Sequence, residues 1–571
     1  MRLVPTAVAA WAAALAGTVG PQWWSTMLCA LLALVALGLM ASARQRQRRR
    51  LRARTTSATL ALACLMGAAV ALHCAADTAA REQGPLAAAA TTGEGVVINV
   101  RVTGPPSAVA VPGHTGASRW TVPAQVEHFT AGGSIVTDSA AVLVIGGEAW
   151  QHVRPGQSLR TTGTLKEAKE GQTEAAVLSA STAPVLVSTA YDPRQTANAA
   201  REQFREAAAW LPADAAGLLP GMVTGDTSAL PESLESAMKT TGMNHLTVVS
   251  GANCSLILGG FILVARTFRL PRPLAAMVAG MGLAAFVVLA GPDPSVLRAA
   301  VMGVVGLAAL TAGLRGRSLT FLCVACTSLL LWQPALSVSF GFLLSVLATL
   351  GIVLFASRMA SWFPDWVPSW LATGIAVPLS AQIVCGPAIV WLQPQFSAYS
   401  LIANVLAGPL VAPITILGTI AVPLAAVPWL AAAPLAVAGT SASMVAGTAR
   451  FFAALPGAAM PWAEGPVGIA SMVALSTVAV VVTWGMLHPA GFLDGVLTVH
   501  RGIMKGLEHA ELLALRRGSA CRHKRHGPRH GRLKPCTNLS GRNHQWLLPK
   551  TPGPRTPRRT TPVGARPRRL P

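Results

Sequence analysis

Four clusters of polar side chains that could do chemistry stand within or beside long apolar stretches of the chain. A polar side chain is costly at membrane depth unless it faces protein or water. The clusters therefore indicate either hydrogen-bonded packing between helices or the lining of a polar path, and both alternatives stay open at this level. The clusters are Asp226, His245, Ser250 and Asn253; Asp293, Ser295 and Arg298; Ser337, Ser339 and Ser345; and Gln382 with Asn404.

The first cluster contains the three residue types of a hydrolytic triad, in Asp226, His245 and Ser250. The residues around Ser250 do not form the G-x-S-x-G turn that exposes the nucleophile in many hydrolases. A membrane hydrolase is therefore kept only as an alternative, and no catalytic role is assigned to these residues.

Arg298 is the most suggestive single residue of the four clusters, because it is a cation near the outer end of a predicted membrane span. A positive charge at that depth suits an anionic polymer that crosses the membrane. An ion pair with Asp293 is the competing interpretation.

Cysteines and histidines near the C-terminus have the side-chain types of a metal site. Their spacing matches no familiar zinc pattern, and the surrounding positive charge opposes a bound cation. Most other cysteines lie inside apolar runs, where a free thiol behaves as a small hydrophobic group. We therefore expect no metal, no cofactor and no disulfide framework. The set near the C-terminus is Cys521, His523, His526, His530 and Cys536.

The composition indicates a polytopic membrane protein. The 571 residues are 52% hydrophobic and only 12% charged, and apolar runs of about 20 residues, long enough to cross a bilayer, recur along the chain. The net charge of +23 is concentrated in residues 516–571, which hold 16 Lys and Arg and no acidic residue. Such a segment is predicted to be disordered and to attract phosphate or anionic lipid without specificity.

Twelve apolar runs are predicted to span the membrane, and arginines orient the first of them. Residues 43–54 hold seven arginines and no acid, so the positive-inside rule places this loop in the cytoplasm and directs the third span outward. Beyond about residue 360 charges are too sparse to orient the chain. The runs are 4–20, 24–42, 57–76, 246–265, 274–291, 295–314, 318–334, 336–357, 370–392, 399–422, 432–454 and 466–487.

Residues 82–190 differ in kind, because they are rich in Thr, Val and Gly and show weak alternation. Five short strands separated by turn residues predict a small β-barrel of the OB-fold type. Its position after an outward-directed span predicts that it lies outside the cytoplasmic membrane. Trp120, Phe129 and Trp150 are the aromatic residues available to stack on single-stranded nucleic acid, and binding and scaffolding both stay open. The predicted strands begin at Gly95, Trp120, Ala141, Gln157 and Ala176.

The predicted fold is thus a polytopic α-helical membrane protein with a β-barrel inserted after the third span and a disordered basic tail. Within it, Leu230, Leu234 and Met238 predict one apolar face of a short helix that stops at Gly242. The regions are 1–76, three spans with the arginine-rich loop; 82–190, the β domain; 193–245, a polar helix and motif at the membrane surface; 246–487, a polytopic channel domain; and 488–571, a basic low-complexity tail.

The four clusters also lie, in order, within strings that resemble those of the ComEC family, the inner-membrane channels of bacterial natural transformation. GMVTGD at residues 221–226 and TGMNHLTVVSGAN at 241–253 resemble the family's central signature. PSVLRAAVM at 294–302, WQP at 332–334 with SFGFLLSVLATLG at 339–351, and NVLAGPL at 404–410 resemble three further elements. The resemblance covers residues 82 to 487, although Ala252 and Asn253 stand where many members have Leu and His.

The resemblance implies that single-stranded DNA passes through the cytoplasmic membrane, with membrane lipids, a DNA receptor and a cytoplasmic helicase as partners. Many members end in a metallo-β-lactamase-like domain, but its HxHxDH signature is missing here and no Asp or Glu follows Glu511. We therefore expect no nuclease activity and no enzyme. A tail read from a shifted frame would also fit the composition after residue 516. The rival function is a small-molecule or lipid transporter. The pathway candidates are Asp226, His245, Ser250, Asn253, Arg298, Ser345, Gln382 and Asn404.

Overall fold

The structure is a computed structural model, and some predictions fall on residues that it does not describe. Asp293, the cysteine and histidine set at 521–536 and part of the arginine-rich loop lie outside the described residues. The described residues are 3–45, 51–104, 106–109, 119–131, 133–168, 174–187, 193–291, 294–311, 318–488, 501 and 504–505.

Helices dominate the described residues. The N-terminal region forms α1 (Val4–Val19), α2 (Gln22–Gln45), α3 (Leu51–Gln83) and α4 (Pro85–Thr92). After the β domain come α5 (Pro193–Ala208), α6 (Ala213–Thr224), α7 (Glu232–Thr240), α8 (Gly251–Thr267), α9 (Arg272–Ala290), α10 (Pro294–Thr311) and α11 (Ser318–Trp332). The remainder are α12 (Phe340–Gly351), a π-helical turn (Ile352–Ala356), α13 (Ser357–Ala360), α14 (Ser369–Leu392), α15 (Ser400–Leu424), α16 (Pro428–Ala453) and α17 (Gly465–Leu487).

Nine helical stretches of the described residues are long and apolar enough to cross a membrane. Three shorter apolar helices, at Val4–Val19, Ser295–Ala309 and Ser318–Trp332, occupy the other predicted positions. Each of the twelve predicted runs therefore coincides with an apolar helix. The third is longer than its apolar run, because α3 continues to Gln83 through polar residues.

The β domain is a closed five-stranded barrel. Its principal strands run in the spatial order β1, β3, β5, β7, β6 and back to β1, and β5 and β7 are parallel while the other pairs in this ring are antiparallel. All five predicted strands are present. The strands are β1 (Gly95–Val102), β2 (Ser107–Val109), β3 (Arg119–Ala131), β4 (Ser134–Thr137), β5 (Ala141–Gly146), β6 (Ser158–Glu167), β7 (Ala176–Ala180) and β8 (Val185–Leu186).

Two of the three candidate stacking aromatics lie inside the barrel. Phe129 and Trp150 are each 1% exposed and belong to its hydrophobic core. The indole of Trp150 packs directly on Gly146, where a Cβ would lie 2.0 Å from the ring. Only Trp120 stays half-buried. The aromatic residues of the barrel therefore stabilise its fold rather than offer a row of stacking surfaces.

The largest hydrophobic core joins α6 and α7 to α15 and α16. Leu218, Leu219 and Met222 of α6 are buried in it. Leu234 and Met238 of α7 are buried beside them, as the predicted apolar face requires. The short helices α6 and α7 are thus held by apolar contacts with α15 and α16.

Two glycines of the 221–226 string are required by close backbone approach. A Cβ on Gly221 would lie 2.3 Å from the carbonyl oxygen of Thr247. Gly225 has φ +79° and its Cβ would lie 2.8 Å from the carbonyl oxygen of Ala290. Only glycine permits both the left-handed conformation and this distance at low cost. The string therefore places α6 directly against the segment that leads into α8.

Candidate functional site

Asn253 in the first turn of α8 connects that helix to α6. Its side chain is 2% exposed, and its Nδ2 donates to the carbonyl oxygen of Met222 at 2.9 Å. The Ser250 hydroxyl donates to Asn253 Oδ1 at 3.0 Å. A buried amide satisfied in this way stabilises one relative position of the two helices.

Ser295 connects the start of α10 to the same place. Its hydroxyl donates to the carbonyl oxygen of Val249 at 3.3 Å, just before α8 begins. The second cluster is therefore joined to the first through a backbone carbonyl.

Arg298 lies one turn further along α10 and is 5% exposed. Its Nη1 donates to Thr349 Oγ1 at 2.6 Å, and its Nη2 donates to Ser345 Oγ. Nη1 also lies 3.7 Å from the sulfur of Met302, and Nε has no hydrogen-bond partner among the described atoms. The described residues give this guanidinium no carboxylate, so a full charge is held in the helical domain by neutral groups.

The N-terminus of α8 lies next to this guanidinium. A Cβ on Gly251 would be 3.2 Å from Arg298 Nη2, so glycine makes room for the charged group. No side chain caps α8, and the Ser250 hydroxyl at its start donates to Asn253 Oδ1. The first N–H groups of a helix carry partial positive charge. The positive N-terminus of α8 and the positively charged Arg298 guanidinium are therefore neighbours.

Asp226 and His245 do not join Ser250 in a triad. Asp226 Oδ1 accepts from the backbone N–H of Ser228 at 3.0 Å, and its Oδ2 lies 3.9 Å from Arg205 Nε. The His245 side chain is exposed. The described side chains of Asp226, His245 and Ser250 form no hydrogen bond with one another. Ser250 donates to Asn253 instead.

The fourth cluster stays separate in its hydrogen bonding. Asn404 Nδ2 donates to the carbonyl oxygen of Ser400 at 2.8 Å, within the first turn of α15. The Ser400 hydroxyl in turn lies against Gly242, where a Cβ would be 2.6 Å away. Gln382 is half-buried in α14. Asn404 and Ser400 contribute to local packing where the end of α7 meets the start of α15.

A chain of charged groups connects the β domain to the first cluster through α5. Arg154 of the barrel lies 2.6 Å from Glu202 Oε2 through its Nη1, and Glu202 also pairs with Arg205. Arg205 faces Asp226. This exposed network fixes α5 between the barrel and the loop that follows α6.

A second ion pair anchors the start of α6. Arg450 of α16 donates to both carboxylate oxygens of Asp214, at 2.6 and 2.7 Å, and to Ser233 Oγ of α7 at 3.0 Å. These hydrogen bonds from Arg450 lower the pKa of the Asp214 carboxyl, and partial burial opposes them. The pair holds α6, α7 and α16 together at the surface.

Members of three of the four sequence clusters thus meet where α6, α8, α10 and α12 come together, namely Ser250, Asn253, Ser295, Arg298 and Ser345. Such a polar centre can hold an anion or line a path. Sequence reasoning missed Thr349, Gly251 and the carbonyl of Met222. The spacing of Ser345 and Thr349, four residues apart on one helix face, was the available signal for Thr349. The sequence gives no comparable signal for a backbone acceptor such as the Met222 carbonyl.

The chain is similar to competence proteins. Residues 222–487 match the protein family described as "Competence protein". The chain is 30% identical over 199 residues to ComE operon protein 3 of Bacillus subtilis (strain 168); the matched residues are 35% of this chain and 25% of that protein. The chain thus matches about a quarter of the length of this relative. No solved structure matches the chain.

Proposed function

The chain belongs to the ComEC family of competence proteins, and we propose that its helical domain carries single-stranded DNA inward across the cytoplasmic membrane in natural transformation. The observation that carries the proposal is the meeting of three motif clusters around the start of α8, with the buried cation Arg298 at its centre. A buried guanidinium among hydroxyl groups suits the phosphates of a polyanion.

We also propose that the barrel is an OB-fold on the outer side of that membrane. Its strand order, the parallel pair β5 and β7, and the short 3₁₀ helix Glu148–His152 between the third and fourth principal strands support this fold. The arginine-rich segment 43–54, on the cytoplasmic side by the positive-inside rule, supports the orientation.

The barrel in this proposal is a scaffold rather than the main DNA-binding element. Residues 82–190 contain six Lys and Arg against eight Asp and Glu. A net negative domain gains little from the counterion release that drives binding to phosphates, and two of its aromatic residues are in the core. Contacts to a DNA receptor and to a cytoplasmic helicase, together with membrane lipids, complete the proposed partners.

Deletion of the gene tests the function. We expect that labelled DNA no longer enters a nuclease-resistant cytoplasmic pool and that transformants disappear, while binding of DNA to the cell surface persists. Complementation with the intact gene is the control. Normal transformation without the gene would contradict the proposal and favour a small-molecule or lipid transporter. Covalent labelling of Ser250 by a serine-directed activity probe would instead favour the hydrolase, which the hydrogen bond from Ser250 to Asn253 opposes.

A further inference from the structure

We infer that Arg298, with Ser345, Thr349 and the first turn of α8, forms a binding site for an oxyanion of the phosphate class. The inference rests on the proposed function only for the source of the oxyanion, which would be a phosphodiester of the DNA strand. Free phosphate carries the same chemistry, and the experiment below separates the two sources.

The first step concerns the charge of Arg298. A guanidinium that is 5% exposed has lost nearly all contact with water, and a buried charge is retained in proteins when an opposite charge or a full set of hydrogen bonds compensates it. Here the described partners are two neutral hydroxyls and a thioether, and Nε has none. Among the residues that the structure describes, the positive charge of Arg298 is therefore incompletely compensated.

The second step concerns α8, whose positive end faces the same guanidinium. The helix has 17 residues and no side-chain cap, and Arg298 Nη2 is 3.2 Å from the place of a Cβ on Gly251. A cation beside a helix N-terminus is repelled, whereas an anion there is stabilised. Two neighbouring positive features lower each other's stability until an anion joins them.

The third step concerns the hydrogen-bond donors. The Thr349 hydroxyl donates to the carbonyl oxygen of Ser345 at 2.9 Å, so its oxygen accepts from the guanidinium. The Ser345 hydroxyl accepts from Nη2 and can turn its own proton toward a ligand. Arg298 Nε and the Ser345 hydroxyl thus supply donors beside the start of α8, whose first N–H groups carry partial positive charge. A forked guanidinium with additional donors matches the tetrahedral oxygens of phosphate.

Entry of the ligand requires that α10 and α12 separate, because the guanidinium is buried between them. The neutral hydroxyls hold Arg298 less strongly than a carboxylate would, since hydrogen bonds between two charged partners are the stronger kind. An arriving oxyanion can therefore accept hydrogen bonds from the guanidinium in their place, and the Ser345 hydroxyl can then donate its proton to the anion. Arg450 is the internal contrast, because it is bound by both oxygens of Asp214.

The test measures thermal unfolding of the purified full chain in lipid nanodiscs by tryptophan fluorescence. Inorganic phosphate is titrated against potassium chloride of equal ionic strength, and a short oligothymidylate is added in a parallel series. We expect phosphate to raise the unfolding temperature of the wild type, and Arg298→Gln to weaken the apparent affinity at least about tenfold. Arg298→Lys should retain part of the response, and Arg450→Gln should retain all of it.

The outcomes separate the site from the proposed function. If phosphate and the oligonucleotide both act through Arg298, the ligand is a phosphodiester. If phosphate alone acts, the oxyanion site stands while its role in DNA passage fails. A wild type without a phosphate response, or a response in Arg298→Gln as strong as that of the wild type, overturns the inference. A response that appears only in Asp293→Asn overturns it too, because Asp293 would then be the partner of Arg298.

Discussion

The polar residues near α6 and those near α12 differ in the hydrogen bonds and the charge that they bury. Around α6, Asn253 and Ser250 pair with each other and with a backbone carbonyl, and no net charge is buried. Near α12, Arg298 brings a full charge among neutral hydroxyls. The first region holds the helices in place through neutral hydrogen bonds, whereas the second holds the buried cation that we propose as the ligand site.

The strongest expected effect on folding is in the α6 region. Gly221→Ala should lower the free energy of unfolding by about 3 kcal/mol or more, because the added Cβ would meet the Thr247 carbonyl oxygen, 2.3 Å away, and the backbone cannot yield cheaply. Thermal unfolding in nanodiscs measures it. The control is Gly408→Ala in α15, where nothing lies within 4 Å and a small gain is expected. Equal stability of the two variants would contradict the prediction that Gly221 is required for close packing.

Asn253→Ala should cost about 2 kcal/mol, because it leaves the buried carbonyl of Met222 without its donor. The amount of folded protein in the membrane should fall, while DNA uptake per folded molecule stays near that of the wild type. Quantitative immunoblots and uptake assays on the same cells measure both. A loss of uptake at unchanged abundance would break the comparison, since Asn253 would then act on the DNA rather than on the fold.

Sequence patterns predicted the twelve apolar helices and the five principal strands because each depends on local chemistry, whereas α6 was not predicted. Apolar runs of sufficient length, and turn residues between alternating segments, are readable one element at a time. Strands β2 and β4 are three and four residues long and carry no such pattern. The short helix α4 was missed for the same reason.

The site was predicted in its residues but not in its contacts. Arg298 and Ser345 stand in separate sequence clusters, and only the packing of α10 on α12 brings them together. Asp226 and His245 belong to the same sequence cluster as Ser250, yet nearness in sequence did not place their side chains in contact. Trp150 shows the same limit in the barrel, because an aromatic residue fits a core as well as a binding face.

The smallest expected effect is at the surface pair of Asp214 and Arg450. Because the pKa of Asp214 is lowered in the folded protein, its contribution to stability is present above the unfolded pKa of about 4 and is lost as the pH falls through the folded value. Asp214→Asn should cost about 0.5 kcal/mol at pH 7, since the pair is partly exposed. Unfolding measured from pH 7 down to pH 2 checks this, and a cost that does not decline as the pH falls would show that charge is not its cause.

The most direct measurement is DNA uptake per folded molecule for Arg298→Gln and Asn253→Ala in the same strain. We predict that Arg298→Gln lowers uptake per molecule about tenfold or more while Asn253→Ala lowers only the number of molecules. Wild-type uptake per molecule in Arg298→Gln would contradict the proposal that Arg298 binds the DNA while Asn253 only stabilises the fold.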